Sequence, residues 1–269
     1  GPDWVREQIR LAKQLTDKPF GVNIMLMSPY AADVAQVVID EGVKIVTTGA
    51  GSPSAYMKDW LNAGVKVCPV VASSTLAAMM EKIGAACVIV EGSEAGGHIG
   101  DLTTMALVPQ TCDKVSIPVI AAGGIADGRG LAAVFMLGAE GVQMGTRFLT
   151  AKECSIHSNY KEKIIRAKDT DTVVTGRRLG HPVRCLKTPF SREYIKKENS
   201  LEYDNQEIEQ LGAGALRLAA QQGDEEKGCF MAGQIAGLVS QEQTVQEIIQ
   251  EVISSAQQTL KKAEKWIQK

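Results

Sequence analysis

Over the first 150 residues, short unbroken apolar runs alternate with longer stretches in which apolar positions recur every three or four residues. The runs occupy 20–26, 43–48, 65–71, 86–90, 119–122 and 141–144, and most are rich in β-branched residues. Runs of this length without polar alternation predict strands covered on both faces, as in a parallel sheet. Between them, "SPYAADVAQVVIDEG" and "SSTLAAMMEKIG" carry the helical period. Gly42, Gly64, Gly84 and Gly138 each stand just before the next run, where a left-handed residue ends a helix at little cost. The unit returns about every 20 to 25 residues, the spacing of a βα repeat.

A βα repeat closes into a (β/α)8 barrel or stays open as a doubly wound sheet. Six strands are visible where a barrel needs eight, and the chain begins on the helical pattern "DWVREQIRLAKQL". The expectation is a barrel whose first two strands are absent from this chain, with an open six-stranded sheet as the alternative. Residues 1–150 form the barrel portion in this reading. Residues 151–229 are read as a lid or substrate subdomain, in which 151–206 are charge-rich, with two helical stretches and no regular strand alternation. Residues 230–269 return to small apolar residues in "FMAGQIAGLV". They end in a long amphipathic helix over 244–268, with Val245, Ile248, Ile249, Val252, Ile253, Ala256 and Leu260 on one face.

The composition narrows the function classes. A net charge of −2 offers no basic surface for nucleic acid or an anionic membrane. No apolar run reaches the roughly 18 to 20 residues of a membrane span, and the polar start does not resemble a signal peptide. Six scattered cysteines, without C-x-x-C or paired Cys/His spacing, predict neither disulfides nor a metal site. A reducing cytoplasm fits them best.

The candidate chemistry sits at strand ends. "PVIAAGGIADG" places Gly123 and Gly124 after one strand, and "GVQMGTRF" places Gly145 and Thr146 after the next. In a barrel these loops are neighbours on the top face, where glycine amides, a helix start and a threonine hydroxyl suit a phosphate. "VTTGAGSPSAY" matches a dinucleotide fingerprint poorly, because its third glycine is missing and Pro53 interrupts; it is read as another top-face loop in which Thr48 and Gly49 line a ligand. "EGSEAGGHIG" follows a strand ending at Glu91 and surrounds His98 with glycines. Gly96 and Gly97 predict a place where something large and flat approaches the backbone, with His98 above it as a proton donor. Asn23 is a polar residue in a buried strand, either a satisfied amide or a hydrogen bond to a heterocycle. A phosphosugar isomerase or synthase would use the same two phosphate loops without a flavin.

Taken together, "DKPFGVNIML", "VTTGAG", "EGSEAGGHIG", "IPVIAAGGIADG", "QMGTRF" and "MAGQIAGLVS" resemble the flavin-dependent enoyl-acyl-carrier-protein reductase II of bacterial type II fatty-acid synthesis. That family belongs to a wider group with the nitronate monooxygenases. The resemblance spans essentially the whole chain. It implies a TIM barrel that binds FMN and takes hydride from NADH or NADPH, with trans-2-enoyl thioesters on acyl carrier protein as substrate; the Ala/Ile-rich closing helix is read separately as a surface for a homodimer. By position, Asn23, Glu91, Gly96, Gly97, Gly123, Gly124, Gln143, Met144, Gly145 and Thr146 would contact FMN, the last of these at its phosphate, and His98 would be the catalytic acid. The lid and "FMAGQIAGLV" would line the acyl channel. One departure stands out: the family's N-terminal strand with a flavin-contacting Gly-Gly-Met segment is absent here. The alternative within the group is an oxygen-dependent nitronate monooxygenase.

Overall fold

The computed structural model describes residues 1–266. Its first part runs α1 (Pro2–Leu15), β1 (Gly21–Met25), α2 (Ala31–Asp40), β2 (Ile45–Gly49), α3 (Ser54–Asn62), β3 (Lys66–Val71), α4 (Ser74–Lys82) and β4 (Val88–Glu91). There follow β5 (Gly97–His98), α5 (Thr104–Cys112), β6 (Val119–Ala122), α6 (Gly128–Met136), β7 (Gly141–Gln143) and α7 (Thr146–Leu149). The remainder comprises α8 (Ser158–Ile165), β8 (Thr172–Thr175), β9 (Val183–Leu186), α9 (Pro189–Glu198), α10 (Asn205–Gly212), α11 (Ala215–Arg217) and α12 (Val245–Ala263).

All six apolar runs form strands, paired in parallel in the order β1-β2-β3-β4-β6-β7 and curled into a half-barrel. Their convex face is sealed by the helices. Val38, Val46, Trp60 and Val67 pack at one end of the sheet, and Val88, Val90, Leu107 and Ala121 further along it. The four anticipated caps, Gly42, Gly64, Gly84 and Gly138, all hold positive φ. At the edge of the half-barrel the reading of strands buried on both faces needs correction. Gly21, Asn23 and Met25 of β1 are exposed on the concave side, because this edge strand has no further strand beside it among the described residues.

Residues 151–206 differ from expectation. They contain β8 and β9, which join β5 in an antiparallel sheet of order β5-β9-β8. The run "TVVT" is too short and too half-exposed to stand out from its charged surroundings. The "FMAGQIAGLV" segment returns between this region and the barrel: Phe230, Ala232, Ile235 and Ala236 pack on Tyr160 and Ile164 of α8. The closing helix α12 starts at a Thr244/Glu247 capping box, and Glu264–Trp266 continue it as one tighter turn; residues 267 and 268 of the expected helix lie outside the described residues. It lies against α6 so closely that a Cβ on Gly128 would stand 2.5 Å from the Val252 carbonyl oxygen. Among the described residues no helix is long and apolar enough to cross a membrane.

Candidate functional site

Parallel pairing aligns Glu91 with Ala122 and Ala122 with Gln143, so β4, β6 and β7 end at one level. Beyond them opens a cavity of about 290 Å³. Its walls include nine residues singled out in the sequence: Glu91, Gly96, Gly97, Gly123, Gly124, Gln143, Met144, Gly145 and Thr146. Gly123 and Gly124 turn the chain with φ of 84° and 75°, a conformation that side-chain-bearing residues rarely adopt. Thr146 Oγ1 accepts the Gly233 N–H at 2.9 Å, which leaves the hydroxyl proton free to donate. Space beside Gly145 is open: a Cβ there would meet nothing within 4 Å. The one carboxylate near Gly124, that of Glu94, is already engaged by the start of α5, accepting Thr104 N–H at 2.9 Å. A glycine-walled turn with a free hydroxyl donor, and with the carboxylate nearest Gly124 already engaged, fits a flavin phosphate.

The His98 loop is held from three sides. Gly92 N–H donates to Ala122 O and Ser93 N–H to Leu102 O, at 3.0 and 2.8 Å, fixing its root. Gln234 N–H donates to Glu94 O at 2.9 Å, tying it to the return segment. Gly97 and His98 pair with Arg184 and Val183 of β9, and Ile99 N–H extends that ladder to Pro182 O at 3.0 Å. Buried Arg184 completes the clamp, donating from Nε and Nη2 to Ser93 O at 3.1 and 3.0 Å. Both glycines line the cavity, and Gly96 has a further use. A Cβ on Gly96 would stand 2.6 Å from the Ala232 carbonyl carbon, so the backbone that approaches it is the protein's own. Gly97 faces the Met231 sulfur, 3.6 Å from where its Cβ would be.

His98 itself is exposed, on the wall of a second cavity of about 360 Å³ lined by Leu76, Met79 and Ile99. Glu91 borders both cavities. Partial desolvation against the loop, and then the nearby His181, hold the His98 imidazole below its ordinary pKa. Burial alone pushes the Glu91 carboxyl from 4.5 up to about 7. The folded protein therefore keeps a proton that the unfolded chain releases, and this contribution to stability is present below pH 4.5 and lost as pH rises to about 7. Glu91→Gln is expected to remove that slope, worth up to about 3 kcal/mol. Urea unfolding of both proteins at pH 5 and pH 7.5 measures it; parallel losses in the two would contradict the assignment.

Two predicted ligand residues lie elsewhere. Asn23 sits on the concave face of β1, where its Oδ1 accepts the Thr47 hydroxyl at 2.9 Å, and it borders neither cavity. Thr48 is turned to the helix side of β2, fully buried, with its Oγ1 unpartnered. Side chains alternate along a strand, so Thr47 and not Thr48 faces the interior. Replacing Thr48 with Val removes a buried orphan hydroxyl at nearly constant shape. It is expected to stabilise the fold by about 1 kcal/mol, a few degrees in Tm, without changing flavin content. A lowered Tm in a thermal melt would show that the hydroxyl is satisfied in solution. The cavity also recruits Tyr160, Leu216, Met231 and Gly233. "FMAGQIAGLV" signalled the last two; Tyr160 and Leu216 carry no local signature.

A parallel α/β half-barrel with a glycine-walled cavity at the carboxyl ends of its strands has the architecture of a barrel enzyme. The sequence profile of the nitronate monooxygenase family matches residues 1–255, and the chain belongs to that family of flavin-dependent oxidoreductases. The structure of FabK from Thermotoga maritima superposes with a TM-score of 0.96 at 50% identity, over 99% of this chain and 85% of that one. A probable nitronate monooxygenase of Staphylococcus saprophyticus is 34% identical over 310 residues, covering 96% of this chain and 85% of that protein. A (3aS,4S,5R,7aS)-5-hydroxy-7a-methyl-1-oxo-octahydro-1H-indene-4-carboxyl-CoA dehydrogenase of Mycobacterium tuberculosis is 40% identical over 189 residues, covering 69% of this chain and 53% of that protein.

Proposed function

We propose that the protein is an FMN-dependent enoyl-acyl-carrier-protein reductase that converts trans-2-enoyl thioesters to acyl thioesters at the expense of NADH or NADPH. The observation that carries this reading is the His98 loop, held by β9 and Arg184 so that Gly96 and Gly97 wall one cavity and His98 borders the next, in a chain 50% identical to the Thermotoga protein over 99% of this chain. The thioester class gains support from the mycobacterial relative, whose name specifies a CoA ester.

Gly123, Gly124, Gly145 and Thr146 would hold the FMN phosphate, and Glu91, Gly96, Gly97, Gln143 and Met144 would border the rest of the group. Bound there, FMN supplies the hydride relay from nicotinamide to the substrate Cβ. His98 then gives its proton to Cα, as a positioned acid on a strand fixed at both ends. Tyr160 and Leu216, from residues 151–229, line the cavity together with Met231, and acyl carrier protein presents the substrate at its mouth.

The test is NADH oxidation by the FMN-loaded protein with a crotonyl thioester. Consumption that depends on the thioester is expected, and its absence would overturn the reading. A second reading, nitronate monooxygenase, is favoured by the name of the staphylococcal relative. Rapid oxygen uptake with a nitronate and no nicotinamide requirement would support it instead.

A further inference from the structure

We propose that the small cavity between β9, α9 and α10 receives the distal methylenes of the enoyl chain and sets its preferred length. The inference rests on the reductase reading and deepens it. This cavity, about 150 Å³, meets the glycine-walled cavity at Leu216 and Met231, which border both. Its other walls are Val183, Phe190, Tyr194, Cys229 and the bare backbone of Gly212. No carboxylate, lysine or arginine lines it, and its polar side chains are those of Thr175, His181, Tyr194 and Cys229. Phe190 and Tyr194 face one another as a tilted pair with centroids 5.9 Å apart, a rigid apolar wall. By contrast, the cavity beside His98 meets the glycine-walled one only at the Glu91 carboxyl, a poor passage for an alkyl tail.

Size sets the expectation. An apolar protein cavity of about 150 Å³ holds a benzene molecule, roughly six carbons. A chain whose first carbons lie at the reacting centre and whose tail passes Met231 would fill the pocket at a total of about eight to ten carbons. Each methylene so buried is worth about fourfold in kcat/KM.

Gly212 offers a clean way to close the pocket. It ends α10 without a left-handed φ, and an added Cβ would meet the Tyr194 ring at 3.5 Å, an ordinary contact. The experiment measures kcat/KM of the FMN-loaded enzyme with trans-2-butenoyl and trans-2-octenoyl thioesters. The native protein should prefer octenoyl by tenfold or more, and Gly212→Leu should reduce that ratio about tenfold. Leu216→Ala, at the exposed junction of the two cavities, should instead raise kcat/KM for a trans-2-dodecenoyl thioester relative to octenoyl, and it serves where the leucine variant fails to fold. An octenoyl/butenoyl ratio unmoved in Gly212→Leu together with a dodecenoyl/octenoyl ratio unmoved in Leu216→Ala would overturn the pocket assignment while leaving the reductase reading intact. No turnover with either thioester would overturn both.

Discussion

His98→Gln is expected to lower enoyl-thioester turnover about 10²- to 10⁴-fold while reduction of the flavin by nicotinamide continues. The argument is geometric first. His98 is held through its main chain, by pairing with Val183 and by the Ile99 and Arg184 anchors on either side, so a change of side chain leaves the loop in place. Glutamine keeps comparable bulk and an N–H donor but has no proton to give up. The pH profile adds a second readout. Partial desolvation and His181 depress the imidazole pKa, so its acid form is stronger but fades at a lower pH than in a free histidine. Native turnover should fall as pH rises through that value, and the variant should lack this limb. Stopped-flow measurement of the two half-reactions separates them. Unchanged thioester turnover would mean that another group supplies the proton.

Gly96→Ala is expected to destabilise the protein by about 3 kcal/mol and to abolish flavin retention. The new Cβ would stand 2.6 Å from the Ala232 carbonyl carbon and 2.7 Å from the Gly233 nitrogen, and neither backbone atom has a flexible side chain's freedom to move. Pushing that segment away would also stretch the Gly233 N–H bond to Thr146 and the Gln234 N–H bond to Glu94, both 2.9 Å. One methyl thus opens the seam between the His98 loop and the phosphate corner. Gly145→Ala is the control, since its Cβ enters open space. That variant should melt with the native protein yet bind FMN more weakly, because the methyl occupies room assigned to the phosphate. Thermal melts with bound-flavin absorbance distinguish the cases. A native-like melt for Gly96→Ala would mean that the seam is loose in solution.

Much of this site was legible before any fold was known, for a definite reason. Phosphate corners in βα proteins are local objects, built from consecutive residues at a strand end, so "AAGG" and "MGT" announce themselves. The contacts of the His98 loop are not local. Ser93 and Arg184 are 91 residues apart, and nothing within either segment encodes the other. The same limit explains Thr48. The run "IVTT" shows that a strand is present, but which of Thr47 and Thr48 faces inward depends on register against β1 and β3.

By itself, the sequence determined the six strands, the helices between them, the glycine caps and the glycine turns at the ends of β6 and β7, because hydrophobic period and turn chemistry act over a few residues. Tertiary structure alone decided that β8 and β9 form a sheet with the His98 strand, that Gly96 makes room for the chain's own backbone, and that Leu216 and Met231 join two cavities. Those outcomes follow from steric fit between segments far apart in the chain, which no local pattern records.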